Sequence, residues 1–266
     1  MLIKTKILLA ITIVFLLHFM VVGYVSHAQI KQDVIEEIQA QARIVRGMLM
    51  ALRRVYQGEF LSHDIPINEQ TLALLPAHAI TRLSAEFRNW VMNGVTFNNV
   101  SEQPRNPSNQ ADGVELEAIR YFTLHPEQQE RLVPYTNGKG EAYFHYAQPI
   151  RVESSCLKCH GERDQVPEEI RKRYTVGYDY KVGELRGILS IKLPAKLFET
   201  RMAAQLKQYT LTHLAGLLFA FLLLSVLLDK TVIKPLVRLQ QVTRRLYYGD
   251  YSVRAGMRKG SDEIAR

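Results

Sequence analysis

The sequence predicts an α+β domain between two transmembrane helices. Two apolar runs, residues 7–30 and 208–228, contain no Asp, Glu, Lys or Arg, and a helix of about 20 such residues crosses a bilayer. Between the runs, helical periodicity comes first and strand and turn signals follow, which is typical of an α+β protein. At 47% hydrophobic residues, the chain has too much apolar side chain for a disordered protein.

The net charge of +8 lies mostly outside the two apolar runs. Residues 1–24 contribute +2 and residues 229–266 contribute +5, whereas the segment between them carries 23 basic and 22 acidic residues. The positive-inside rule then places both termini in the cytoplasm. This distribution indicates a membrane protein and argues against nucleic acid as a partner.

These features divide the chain into five segments. They are a cytoplasmic N-terminus (1–6), a transmembrane helix (7–28), an extracytoplasmic domain (29–207), a second transmembrane helix (208–229) and a cytoplasmic helical tail (230–266). The first apolar run has an alternative interpretation as a cleaved signal peptide, since Lys4 and Lys6 precede it and Ser26-His27-Ala28 offers a processing site. Its length favours a retained anchor.

Two helical regions are predicted at the start of the exported domain. In Asp33–Glu59, apolar or small residues recur at spacings of 4 and 3, which predicts a helix with one buried stripe. In Glu69–Met92, Pro76 predicts a kink or a short helix followed by a fresh start. The buried stripe of the first helix comprises Ile38, Ala42, Val45, Leu49, Leu52 and Tyr56.

Two β-hairpins are predicted further along the exported domain. Arg131–Tyr135 and Glu141–Val152 flank Thr136–Gly140, whose Asn and Gly residues suit a tight turn. Val176–Tyr180 and Leu185–Leu193 form the second predicted pair.

The cytoplasmic tail contains one amphipathic helix and the beginning of another. Pro235 opens the first helix and Gly249 ends it, and Asp262-Glu263-Ile264 begins the second. The first helix cannot bury its own apolar stripe, so the pattern predicts a parallel homodimer. That stripe consists of Leu236, Leu239, Val242 and Leu246.

Both cysteines of the chain lie in Cys156-Leu157-Lys158-Cys159-His160. This is the attachment pattern of c-type haem, in which two thiols at this separation reach the two vinyl groups and the adjacent His binds the iron. We therefore predict one covalent haem c on Cys156 and Cys159, with His160 as the proximal iron ligand.

Three other kinds of site compete with haem attachment at this motif. A zinc site needs further ligands at suitable spacing. A dithiol redox centre prefers the start of a helix in a thioredoxin-like unit. A structural disulfide suits an exported segment but leaves His160 unexplained. The complete CxxCH pattern favours haem over all three.

The sixth iron ligand is less well specified by the sequence. His78 lies between Ala77 and Ala79 in a predicted helix, and these small neighbours allow a porphyrin to approach, so His78 is the favoured distal candidate. Met48, beside the buried stripe of the first helix, is the weaker candidate. Met50, His145 and an open or water-bound iron are the alternatives.

Several motifs together resemble the haem-c-binding, PAS-like periplasmic sensor domains of bacterial receptors. They are Arg105-Asn106-Pro107-Ser108-Asn109 with the following Ala111-Asp112, Pro149-Ile150, the CxxCHG motif, Gly177-Tyr178 and Gly183–Gly187. The resemblance covers Asp33 to Leu193. It implies a PAS-like antiparallel sheet with long N-terminal helices, a periplasmic position at the bacterial inner membrane, and sensing of redox state or a small diatomic gas. Some relatives use a Cys of an N-terminal helix as the distal ligand, and this chain has no third Cys.

The tail is similar to a HAMP signal relay at Val232–Leu236, Gly249–Ser252 and Asp262-Glu263-Ile264. This similarity implies a parallel dimeric four-helix unit that couples membrane helices to an output domain. The second HAMP helix has barely begun at Arg266, so we expect a partial relay and an output signalling protein or domain outside this chain.

Two functions from different classes fit these features. A receptor would pass a change at the haem to the second membrane helix, whereas a membrane-anchored monohaem cytochrome c would carry electrons to a redox partner. The basic, relay-like tail favours the receptor. We expect no enzymatic activity, because no nucleophile–base pair or Gly-rich phosphate loop stands out in the sequence.

Overall fold

The computed structural model describes residues 3–63, 65–72, 74–91 and 93–253, which have the predicted α+β composition. The helices are α1 (Ile3–Ser62), α2 (Glu69–Leu72), α3 (Pro76–Trp90), α4 (Gly113–Leu124), α5 (Leu157–His160), α6 (Glu168–Arg173), α7 (Lys196–Leu228) and α8 (Lys234–Tyr247). The strands are β1 (Thr96–Val100), β2 (Arg131–Thr136), β3 (Ala142–Arg151) and β4 (Leu185–Pro194). The described residues form two compact units, 32–202 and the two ends of the chain.

The unit formed by the chain ends contains the two apolar runs, in α1 and α7. Both helices are long and apolar enough to cross a bilayer by length and composition, which is weak evidence for a membrane position. Phe15 of α1 contacts Phe221 of α7 with ring centroids 6.2 Å apart. A π-helical turn, Asp229–Ile233, leads into α8, which ends before Gly249 with φ +90°. The predicted second tail helix at Asp262-Glu263-Ile264 lies outside the described residues.

The predicted helices of the 32–202 unit are confirmed. The Asp33–Glu59 region belongs to the single helix α1, and its stripe residues Ile38, Ala42 and Leu49 are buried. Pro76 begins α3 afresh after the short α2, since proline is favoured in the first helical turn.

A four-stranded antiparallel sheet with strand order β1-β4-β3-β2 forms the centre of this unit. The first predicted hairpin is confirmed as β2 and β3. The Oδ1 atom of Asn137 accepts from the amides of Lys139 and Glu141, both at 2.9 Å, and so organises the turn between them.

The second predicted hairpin is wrong, because Val176–Tyr180 is not a strand and β4 pairs instead with β1 and β3. Gly177 (φ +83°) and Asp179 (φ 58°) have left-handed backbone conformations, which a strand does not accommodate. The amides of Asp179 and Tyr180 donate to the carbonyls of Gly161 and His160, both at 3.0 Å. The segment is therefore fixed against the CxxCH motif.

Alternation along β4 gives the sheet two buried faces. Leu189, Ile191 and Leu193 pack in a cluster with residues of α1 and α3, whereas Ile188 packs with residues of α4. Side chains alternate across a strand, so we name these surfaces the α1 face and the α4 face. Burial on both faces explains the dense apolar content of β4.

Candidate functional site

A cavity of about 450 Å³ lies within the 32–202 unit. Residues of α1, α3, β1, β3 and β4 contribute to its wall, together with the segment that contains α5 and α6. The cavity brings together four residues that the sequence analysis selected, and the spacing along the chain does not show that His78 meets the three residues of the CxxCH motif. These residues are His78, Cys156, Cys159 and His160.

The CxxCH motif reaches the cavity from a short helical turn. A 3-10 turn, Ser154–Cys156, leads directly into α5. Residues three and four apart lie on the same face of a helix, so Cys156, Cys159 and His160 all line the cavity. Both cysteines are free thiols, and burial raises the pKa of Cys159.

The imidazole of His160 is held in one orientation. Its Nδ1 lies 2.9 Å from the carbonyl oxygen of Gly177, and because a carbonyl only accepts, Nδ1 carries the proton. The ring stacks on Tyr180 with a centroid distance of 4.7 Å and an interplanar angle of 9°. Burial, and after it the nearby Arg105 cation, lowers the pKa of His160 to about 4. The result is a neutral imidazole whose Nε2 lone pair is available, as a metal ligand requires.

Arg105 fixes the backbone that orients His160. Its guanidinium donates to the carbonyls of Val176 (3.0 Å) and Gly177 (2.7 Å) and lies over the ring of Tyr178 at 4.6 Å. A Cβ atom on Gly177 would come within 2.8 Å of the Arg105 side chain. Glycine is therefore required at position 177 both by this close approach and by its positive φ.

His78 lies on α3 and also lines the cavity. Its Nε2 is 2.9 Å from the hydroxyl of Tyr174, and burial lowers its pKa. One turn further along α3, Thr81 donates to Oδ1 of Asn109 at 2.7 Å. The segment from Arg105 to Asn109 thus contacts the backbone that orients His160, through Arg105, and the helix that carries His78, through Asn109.

Two other ligand candidates of the sequence analysis, Met48 and His145, are not among the residues that line the cavity, and neither is Met50. The Met48 side chain is 70% exposed on α1. His145 is fully buried in β3, where its Nε2 contacts Ser190. The geometry thus supports His78 over both of them as a distal candidate.

Basic side chains dominate the charged lining of the cavity. Among the described residues that form the wall, none is acidic. The sequence analysis missed this feature because the contributing residues lie far apart in the chain and in different elements. They are Arg53, Arg105, Arg151, Lys158 and Arg186.

A zinc centre lacks ligands in this structure. Within the described ranges, no group of three or more His, Cys, Asp or Glu side chains is arranged to hold a metal ion. A tetrahedral protein site for zinc needs three or four such groups, so the two cysteines and His160 do not form one.

Comparison with known proteins identifies the family to which the cavity-containing unit belongs. The family model described as Tll0287-like matches residues 31–194, which is more than half of the chain. The chain belongs to the Tll0287-like family. All the cavity-lining residues lie within this Tll0287-like region.

One solved structure and the curated proteins complete the comparison. The crystal structure of the cyanobacterial haem protein Tll0287 is 22% identical to this chain, with a TM-score of 0.45, and the match covers 59% of this chain and 95% of that one. No curated protein matches.

Proposed function

We propose that this Tll0287-like domain binds one haem c covalently through Cys156 and Cys159, with His160 as the proximal iron ligand. The observation that carries the proposal is the shared cavity of both thiols and an imidazole whose Nδ1 is committed to Gly177. A backbone acceptor for the second ring nitrogen is the usual support of a metal-ligating histidine. The related protein Tll0287 is itself a haem protein.

The charge of the cavity wall fits the two propionate groups of a haem. A haem carries two propionate groups, and a wall with basic and no acidic described residues suits two carboxylates. Arg53 is the residue that we assign to the propionates. The other three arginines of the wall are already engaged, Arg105 with the 176–177 carbonyls, Arg151 with the Pro126 carbonyl and Arg186 with Glu184. Haem bound here would supply a one-electron redox centre and a coordination position for small ligands.

His78 is our candidate for the distal position. To reach an iron, its Nε2 must leave the hydroxyl of Tyr174, with which it now shares a hydrogen bond. In the haem-loaded protein His78 would have two possible partners, the iron and the hydroxyl of Tyr174, and with Tyr174 as its partner the iron would be accessible to a diatomic gas. This choice gives the domain a means to report a ligand or a change of redox state.

We further propose that the protein is a membrane-anchored sensor of redox state or of a diatomic gas, with a PAS-like periplasmic domain at the bacterial inner membrane. Helix α1 contains both the first apolar run and two cavity residues, Arg53 and Gln57. Signal transfer would proceed through α7 and the HAMP-like tail of a parallel homodimer to an output module.

The haem proposal is tested by electrophoresis of the denatured full-length protein, produced with cytochrome c maturation factors and stained for haem peroxidase activity. We expect a stained band that disappears in the double variant Cys156→Ala, Cys159→Ala. An unstained wild-type band, or equal stain in the double variant, would overturn the proposal.

The signalling proposal is tested by single cysteines placed along Leu236–Leu246 and crosslinked in membranes. We expect crosslinking with heptad periodicity and a pattern that differs between oxidised and reduced samples. A periodic pattern that ignores the haem state would support the electron-carrier function instead.

A further inference from the structure

We infer that Arg105 is a positioning residue that raises the reduction potential of the haem through the Gly177 carbonyl. The inference rests on the proposed haem function and concerns one oxygen atom. That oxygen accepts from Nδ1 of His160 at 2.9 Å and from the Arg105 guanidinium at 2.7 Å. Both lone pairs of the carbonyl are therefore in use.

The sharing has an electronic consequence for His160. A strong acceptor at Nδ1–H makes a histidine ligand more basic and stabilises ferric iron. The cationic donor Arg105 draws electron density from the same Gly177 oxygen. The oxygen is therefore a weaker acceptor for the Nδ1–H group of His160. Its positive charge near the site also disfavours the ferric state. Both effects act in the same direction, towards a higher potential.

The surroundings of Arg105 hold it in this position. Its guanidinium also donates to Val176 and lies 4.6 Å from the ring centre of Tyr178 and 5.5 Å from that of Tyr174. Tyr174 in turn contacts His78. Two hydrogen bonds and two aromatic faces match the planar, forked guanidinium and do not suit a lysine.

The test compares three variants of the full-length haem protein, namely Arg105→Gln, Arg105→Lys and the control Arg151→Gln. Arg151 also lines the cavity, but it donates to Pro126 (2.9 Å) and not to Gly177. The readouts are the reduction potential, from a spectroelectrochemical titration, and the hyperfine-shifted proton resonance of His160 Nδ1–H in the ferric state.

For Arg105→Gln we expect retained haem stain and a ferrous-to-ferric ratio about tenfold lower at fixed potential, which is about 59 mV for a one-electron couple. Arg105→Lys should fall between this variant and the wild type, and both should move the Nδ1–H resonance. Arg151→Gln should shift the potential less and leave that resonance in place. The inference would be overturned by a haem-stained Arg105→Gln protein with an unchanged potential, or by an equal resonance shift in the Arg151→Gln control. An unstained wild-type protein would instead overturn the haem proposal itself.

A second surface, on α1, carries an independent inference. Beside its buried stripe, about a quarter of a turn around the helix, α1 exposes Ile44 (65%), Met48 (70%) and Val55 (61%). With the exposed Ala51, these residues follow the 4-3-4 spacing of heptad core positions. A helix that is apolar on two faces is usually covered on both.

The geometry points to a second copy of this chain, in parallel orientation, as the partner of this α1 stripe. If Met48 and Val55 occupy heptad position a, Arg54 falls at position g and Glu59 at position e of the next heptad. In a parallel pair of helices, g and the following e of the partner lie side by side. Arg54 and Glu59 are exposed and of opposite charge, so the helix is complementary to its own copy in this register.

The test uses cysteine crosslinking of the full-length haem protein in membranes, where the two native thiols are consumed by haem attachment. We expect Met48→Cys and Val55→Cys to form dimers and the control Glu36→Cys, at an exposed position outside the seam, to form at least tenfold fewer. Arg54→Glu should reduce crosslinking at position 48, and the swap Arg54→Glu, Glu59→Arg should restore it. Equal crosslinking at position 36, or no rescue by the swap, would overturn the assignment.

Discussion

His160 and His145 are both buried, and burial lowers the pKa of each to about 4. Their ring nitrogens nevertheless have different hydrogen-bond partners. His160 gives Nδ1–H to a backbone carbonyl and lines the cavity. His145 is fully enclosed on the α4 face, with its Nε2 3.0 Å from the Ser190 hydroxyl. A low histidine pKa therefore does not distinguish a ligand from a structural residue, whereas access to a cavity does.

The hydrogen bonds of His145 form a closed network. Ser190 donates its single hydroxyl proton to Glu115 at 2.6 Å, so His145 must donate from Nε2. Glu115 also pairs with Lys192 at 2.8 Å. Nδ1 of His145 is buried without a hydrogen-bond partner among the described residues. This histidine holds β3, β4 and α4 together and presents no atom to a cofactor.

The largest difference between the two histidines should appear in the absorption spectrum. His160→Ala should abolish the low-spin spectrum of the ferric haem, because the proximal ligand is lost. His145→Gln should leave that spectrum unchanged. The two variants are compared by visible spectroscopy of purified protein, oxidised and reduced. A spectral loss in His145→Gln with none in His160→Ala would reverse the assignment.

Replacing His78 should have a smaller effect, confined to the distal side. We expect His78→Ala to become high-spin and to bind carbon monoxide when reduced, while its covalent haem remains. Met48→Ala is the matched control, because Met48 is exposed outside the cavity, and it should match the wild type. A high-spin Met48→Ala protein beside a low-spin His78→Ala protein would contradict the choice of His78.

Acid should destabilise the haem-loaded domain through His145. Its pKa is 6.5 in the unfolded chain and about 4 in the fold, so its contribution is complete above pH 6.5 and is lost as the pH falls towards 4. The full loss is on the order of 3 kcal/mol. Denaturant unfolding of the full-length protein between pH 7 and 4 measures it, and His145→Gln should flatten this dependence. His160 would contribute little to it in the loaded protein, because a bound iron would occupy the Nε2 lone pair that otherwise takes up the proton.

Removing the Ser190 hydroxyl should produce the smallest of these effects. Ser190→Ala leaves Glu115 and His145 without their shared partner, which costs about 1–3 kcal/mol of unfolding free energy. Haem stain and reduction potential should not change. The denaturation midpoint at pH 7 gives the measurement, and a shifted potential would show that this network is coupled to the haem site after all.

The sequence predicted local structure better than long-range contacts. Helix α1, the break at Pro76 and the β2–β3 turn follow from residues close together in the chain. The strand expected at Val176–Tyr180 does not exist, because its backbone groups bind Arg105 and His160 instead of a neighbouring strand. Alternating valine and tyrosine side chains do not reveal that competition.

The candidate site shows the same division. The haem motif is readable because its three residues lie within one helical turn. The acceptor at Gly177 and the basic wall were not predictable, since they depend on how segments more than ten residues apart pack together. The motif Arg105–Asn109 contributed to the family resemblance, but its contacts with Gly177 and Thr81 depend on the packing of distant segments.

Mass spectrometry of the peptide that contains Cys156 and Cys159 tests the central claim most directly. The full-length protein is produced with cytochrome c maturation factors, digested and analysed without reduction. The account predicts a peptide heavier by one haem, with both thiols consumed. Unmodified thiols, or a disulfide between the two cysteines, in protein made under these conditions would contradict it.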